Sequence, residues 1–193
     1  MRLQLIADCT IQRGVVSLNP PMKMRETSPD PDLPTQTSAY QRLMEYKSFM
    51  KETGIDLNAN VAEAARINRD LFIKNVRSKG SWDYKHNVTL AMKYGQAFLA
   101  DFGNWHFGVV AHAHGFNLET SLYGAGVYQV FKQGGGNPAD LAVANAWMFN
   151  SYGGALIPDS ITRAVIRAGF SWGDNPGDSI SIMNGWDYYN ENY

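Results

Sequence analysis

The chain has 193 residues, 45% of them hydrophobic and 18% charged, a balance that builds a packed core and excludes a disordered or fibrous chain. Its formal net charge of −1 excludes a protein that is basic overall, as nucleic-acid binders usually are. A single cysteine, Cys9, excludes an intrachain disulfide, and the absence of an apolar run of about 18 residues excludes a transmembrane helix.

Residues 1–34 read as an extended arm. Gly14-Val15-Val16-Ser17-Leu18-Asn19 suits a short strand. Pro20, Pro21, Pro29, Pro31 and Pro34 then block helix for the residues before them. Met1 to Asn19 lacks a basic segment followed by a continuous apolar one, so no secretory signal is expected, and a secretion machine or carrier protein would have to carry the chain if it acts outside its producer.

Residues 35–193 read as one helical domain. A first helix is predicted from Thr37 or Ser38, with Gln41 completing a capping box, to Gly54; Tyr40, Leu43, Met44 and Met50 lie near one face. A second runs from Asn60 to Gly80, burying Ala64, Ala65, Phe72 and Val76. A third spans Tyr94 to Ala113, where Tyr94, Phe98, Phe102, Trp105, Val109 and Ala113 recur at helical spacing. A fourth covers Leu118 to Lys132, before the break Gly134-Gly135-Gly136. Asn137-Pro138 opens the next helix, and Gly153-Gly154 interrupts it. Asp159 to Ala168 is short and stopped by Gly169; Asn175-Pro176 opens a last helix through Trp186, with Tyr188, Tyr189 and Tyr193 as an aromatic tail. The fold class is mainly α, and a lysozyme-like arrangement is one form it can take.

Several residues could carry chemistry. Glu26 sits in a proline-flanked turn beside Met22 and Met24. An apolar pocket there would keep its carboxyl protonated, as the general acid of glycoside hydrolysis requires, whereas on the surface it would pair with Arg25 or Lys23. Asp83 between Trp82 and Tyr84 suits a sugar cleft, or else caps its own turn. Asn104, Gly108 and His112 share one helix face, and Gly103 and Gly108 inside a helix suggest a backbone or ligand lying close. His106, His112 and His114 have poor spacing for zinc, so neither metal nor other cofactor is expected. Asp174 and Asp178 bracket Asn175-Pro176-Gly177, which also reads as a helix start with an acid near the dipole.

Three segments carry a resemblance. Gly80-Ser81-Trp82-Asp83-Tyr84-Lys85 resembles the Gly-x-Trp-Asp-Tyr/His-Lys motif of the bacterial polymorphic toxin type 44 family. Phe102-Gly103-Asn104-Trp105-His106-Phe107-Gly108 is similar to its Gly/Ser-Asn-x-x-aromatic-Gly helix, and Trp172-Gly173-Asp174-Asn175-Pro176-Gly177-Asp178 to its closing Gly-Asp-x-Pro-x-Asp segment. Met24-Arg25-Glu26 is similar to a Met-Arg-x-Glu element near that domain's start, one residue shorter. The resemblance spans residues 22–189. It implies an effector delivered into competing bacteria, a cognate immunity protein as partner, and an activity suggested to be that of an RNase.

The leading expectation is a peptidoglycan glycan hydrolase of the muramidase kind, acting in the target's periplasm. Glu26 is its acid and Asp83 its catalytic partner, with Trp82, Tyr84, Lys85, Asn104, His106, Asp174 and Asp178 binding the glycan strand. The alternative is a metal-independent RNase in the target cytoplasm, using His106 or His112 as acid/base and Lys85 or Arg77 on phosphate. A non-enzymatic binding module is the third class. The polar motifs are expected to converge on one cleft.

Overall fold

The computed structural model describes residues 35–150 and 158–193. The expected strand at Gly14–Asn19, the proline-rich loop, Glu26 and the Gly153-Gly154 break lie outside the described residues. The chain divides into two compact units, Met1–Arg42 and Leu43–Tyr193. The described residues form nine α-helices and no strand, and none of the helices is long and apolar enough to cross a membrane.

Helix α1 (Thr35–Thr53) stops where Gly54 takes a left-handed φ of 73°. Its buried positions are Tyr46, Phe49 and Met50, while Tyr40 and Met44 of the expected face are exposed. The segment predicted as one helix after Asn60 is two, α2 (Leu57–Ala64) and α3 (Arg69–Val76). Each has its own polar cap. Asp56 accepts from the Ala59 amide at 3.0 Å, and Asn68 from the Leu71 amide at 2.9 Å. Asn68 satisfies donors that a continuous helix would pair internally, which makes a break there as favourable as continuation.

The predicted third helix starts two residues late, at Gln96, and two short elements that were not predicted precede it. A short 3-10 turn, Tyr84–His86, leads into α4 (Val88–Tyr94), capped by Asn87, and Gly95 at φ 85° separates it from α5 (Gln96–Ala113). Helix α6 (Leu118–Tyr128) runs into one π turn, Gln129–Gln133, that ends at left-handed Gly134. Helix α7 (Pro138–Asn150) starts as predicted, with the Asn137 carboxamide accepting from the Ala139 and Asp140 amides. Helix α8 (Asp159–Arg167) ends before Gly169. Helix α9 (Asp178–Asn192) starts two residues after Pro176, because Gly177 at φ 93° turns the chain first, and it takes Tyr188 and Tyr189 into the helix.

Helix α5 is the axis of the domain. Phe102, Trp105 and Val109 pack with Tyr46, Phe49, Leu57 and Val61. Val110 and Ala111 pack with Ala64, Phe72 and Trp82. A third cluster joins Leu118, Leu122, Ile166, Trp172, Ile182 and Met183. The α5–α9 crossing is close because two glycines face each other's helix. A Cβ on Gly108 would lie 2.1 Å from the Ile182 carbonyl oxygen, and one on Gly185 1.9 Å from that of Trp105. Both helices therefore meet backbone to backbone.

Candidate functional site

A cavity of about 400 Å³ opens between α3, the segment after it, α5 and α6. Helix α5 presents Ala100, Gly103, Asn104 and Phe107 to it, the i, i+3, i+4, i+7 stripe of one helix face. Gly103 keeps that face low: a Cβ there would meet nothing within 4 Å. Gly108, by contrast, turns toward α9, and His112 stacks on Trp186 with ring centroids 3.9 Å apart. Asn104 therefore faces the cavity, whereas Gly108 and His112 serve packing.

The first wall is the segment 77–86. It folds back on α3, with the Trp82 amide donating to the Asn75 carbonyl at 3.0 Å. Gly80 permits this approach, since a Cβ would sit 2.2 Å from the same carbonyl oxygen. Trp82 is buried against Phe72. Asp83 closes its turn: Oδ2 accepts from the Lys79 amide and pairs with the His86 imidazole. Among the described residues, these contacts leave its other oxygen without a hydrogen bond. The Tyr84 hydroxyl accepts from Asn60 at 3.1 Å, and burial pushes its acidity well below that of a free phenol. Lys85 reaches across the mouth and donates to Gln133 Oε1 at 3.2 Å.

The second wall is the π turn. Ser78 donates its amide to the Tyr128 hydroxyl at 2.9 Å, and Gln133 donates to the Ser78 hydroxyl at 3.1 Å. With the Lys85 bond, these polar contacts tie the two walls together on one side. The extra residue of a π turn swings Phe131 to the rim, where it is 72% exposed.

Asp174 reaches the cavity through a tight turn. Its amide donates to the Ser171 carbonyl at 2.9 Å, and both central residues are left-handed, Trp172 at φ 57° and Gly173 at φ 97°. Those are φ signs of a type I′ turn. A tryptophan costs about 1–2 kcal/mol in that region, and its complete burial among Ile166, Ile182 and Met183 offsets the strain. Asp140 of α7 fixes the turn by accepting from both the amide and hydroxyl of Ser171, at 2.7 and 2.8 Å. Gly126 of α6 gives it room, as a Cβ there would lie 2.0 Å from the Trp172 carbonyl oxygen. The outcome is a carboxyl only 4% exposed yet facing the cavity. Burial, and then the neighbouring Asp178 carboxyl within hydrogen-bonding reach, push its pKa up to about 7, against the opposing Asn175 amide and the charge of Lys85. An ionisable proton near neutrality thus sits inside the cavity.

Of the expected site residues, Trp82, Asp83, Tyr84, Lys85, Asn104 and Asp174 line this one cavity. Asp178 stands behind Asp174, bonded to the Asn175 carboxamide at 3.2 Å. His106 lies behind the wall, 1% exposed, with Nε2 at 3.0 Å from Asn60 Nδ2 and 3.4 Å from the Tyr84 hydroxyl. Burial pushes its pKa down to about 3, so it is a neutral acceptor that holds Asn60. Arg69, Tyr128, Phe131, Lys132 and Gln133 were absent from the expected site. Their elements carry no polar motif, and the π turn that gathers the last three leaves no mark in a sequence. Among the described residues no three His, Cys, Asp or Glu side chains gather as a metal site would require.

The model of a family described as Bacterial toxin 44 matches residues 71–191, well over half of the chain and nearly all of the cavity wall. No curated protein and no solved structure matches significantly.

Proposed function

The chain belongs to the bacterial toxin 44 family, and from that premise we propose that it is an effector delivered into rival bacteria, where it hydrolyses the glycan strands of peptidoglycan with Asp174 as general acid. The observation that carries the reading is the Asp174 carboxyl, buried, facing a cavity and titrating near neutrality. A glycosidic bond breaks when its leaving oxygen receives a proton from an acid still protonated at working pH. A sheltered carboxyl supplies this; an exposed one does not.

The remaining roles follow from position. Asp178 disfavours a second negative charge beside it and so keeps the proton on Asp174. Asp83, with Oδ2 held by its turn, offers Oδ1 to a sugar hydroxyl or an attacking water. Asn104 and Lys85 supply further donors, and Tyr128 and Phe131 supply ring faces on which sugars pack. Trp82 and Tyr84 shape the wall. Glu26, the acid expected from sequence, lies outside both the described and the matched residues; in this reading the proton comes from Asp174. An immunity protein and a delivery apparatus are the partners such an effector requires.

The test is digestion of isolated peptidoglycan by wild type and Asp174→Asn, with fragments read by mass spectrometry, beside expression with and without periplasmic export. New reducing ends from wild type alone, and lysis only with export, are expected. Growth arrest without export, with cellular RNA degraded, would replace this reading by the ribonuclease one.

A further inference from the structure

Among the described residues no salt bridge joins the cations around the cavity to a carboxylate. Arg69, Arg77 and Lys132 line the cavity, all exposed, and none takes part in an ion pair among the described residues. The Lys85 ammonium donates to the neutral Gln133 oxygen, and its charge reaches the Asp174 carboxyl. The cavity thus gathers four cations against the two carboxyls Asp83 and Asp174, in a chain whose formal total is −1. The apolar side chains beside them, Ile73 and Phe131, are 45% and 72% exposed.

We infer that the cavity mouth is an anion subsite, and that the substrate is a glycan bearing free carboxylates, which dock on Arg69, Arg77 and Lys132 while the sugar rings cover Ile73 and Phe131. This rests on the glycan reading and names the substrate class within it. Guanidinium groups hold carboxylates through paired, directional hydrogen bonds, which suits Arg69 and Arg77. An uncharged polymer would have to cover these cations without replacing the water that solvates them. Sugar stacking explains why apolar groups stand among the charges at the rim rather than in the core.

The test compares binding of end-labelled strands by fluorescence anisotropy. One probe is peptidoglycan glycan freed of its peptides, so that each muramic acid bears a lactyl carboxylate. The second is an N-acetylglucosamine oligomer of equal length, which is neutral, and the third a single-stranded RNA. At a salt concentration of about 50 mM the acidic glycan is expected to bind at least about tenfold tighter than the neutral one, as three weak exposed ion pairs together provide. That gap should close at about 500 mM salt, where screening shortens the reach of each charge. It should also close in the triple variant Arg69→Gln, Arg77→Gln, Lys132→Gln, whose exposed sites leave the melting temperature unchanged. Equal affinity for the two glycans, or a gap that survives the triple variant, overturns the subsite. Tighter binding of RNA than of the acidic glycan overturns the substrate class. Acidic glycan bound in this salt-sensitive way but left uncut refutes the hydrolase reading and leaves the subsite standing; equal cutting of both glycans does the reverse.

Discussion

Gly103 and Gly108 stand five residues apart on α5, and only Gly108 touches another backbone. The two glycines therefore do different things, and substitution separates them.

At Gly108 a methyl group would meet the Ile182 carbonyl oxygen at 2.1 Å, which α9 can relieve only by moving. Gly108→Ala is expected to lose about 1–3 kcal/mol of stability or more. At Gly103 the space is open, and alanine gains about 1 kcal/mol in a helix interior. Gly103→Ala should therefore melt higher than wild type. Gly103→Leu should fold normally and lose activity, because its side chain fills the cavity. Thermal unfolding of the three variants checks this, and a Gly103→Leu protein with full activity would remove the cavity from the reaction.

Activity should depend on the Asp174 proton. As the pKa of that group lies at about 7, the rate should be retained on its acidic side and fall as pH rises through neutrality. Asp174→Asn keeps the shape but removes the proton, with an expected loss of about a hundred- to ten-thousandfold. A pH–rate profile on peptidoglycan measures both; a rate that climbs steadily above pH 7 would exclude Asp174 as acid.

Stability should carry two opposed pH dependences. Asp174 has a folded pKa of about 7 against 3.8 for the free side chain, so the folded state holds its proton longer and gains stability as pH falls from 7 toward 4. His106 has a folded pKa of about 3 against 6.5, so its contribution is complete above 6.5 and is lost as pH falls toward 3. The two largely cancel between pH 6.5 and 4. Asp174→Asn should melt higher than wild type at pH 8 and lose stability steeply on acidification. His106→Gln should do the opposite and gain stability over the same interval. Melting curves across pH decide it, and parallel slopes in all three proteins would contradict the burial of these groups.

Glu26 gives a direct contrast. With the proton on Asp174, Glu26→Gln should digest peptidoglycan at the wild-type rate and keep toxicity. Loss of digestion at an unchanged melting temperature would return the acid's role to Glu26.

The helices whose starts and stops rest on local chemistry were readable in the sequence. Asn137 before Pro138 acts through its own carboxamide, and Gly54 and Gly169 through their own backbone, whatever lies around them. The long segment after Asn60 was over-joined. Asn68 is an ordinary residue inside a helical pattern, and only tertiary packing of Phe72 decides that it caps a new helix; α4, capped by Asn87, fell between two predicted helices and was not expected. The site divides in the same way. Asp83, Lys85, Asn104 and Asp174 stood out as polar residues in tight motifs, but what sets Asp174 apart is burial by a strained Trp172 turn that α6, α7 and α9 hold jointly. Trp82, read as a sugar platform, is buried against Phe72 and forms part of the cavity wall.

The backbone contact between α5 and α9 also bears on synthesis. Residue 108 emerges from the ribosome long before residue 185, so α5 must wait for its partner with one face uncovered. Asp174 is equally late. Chains truncated before α9 are therefore expected to be protease-sensitive and, with the proposed acid at Asp174, harmless to the cell that makes them. The producer is exposed to an assembled site only after α9 has emerged, and any neutralising partner needs to act only from that moment.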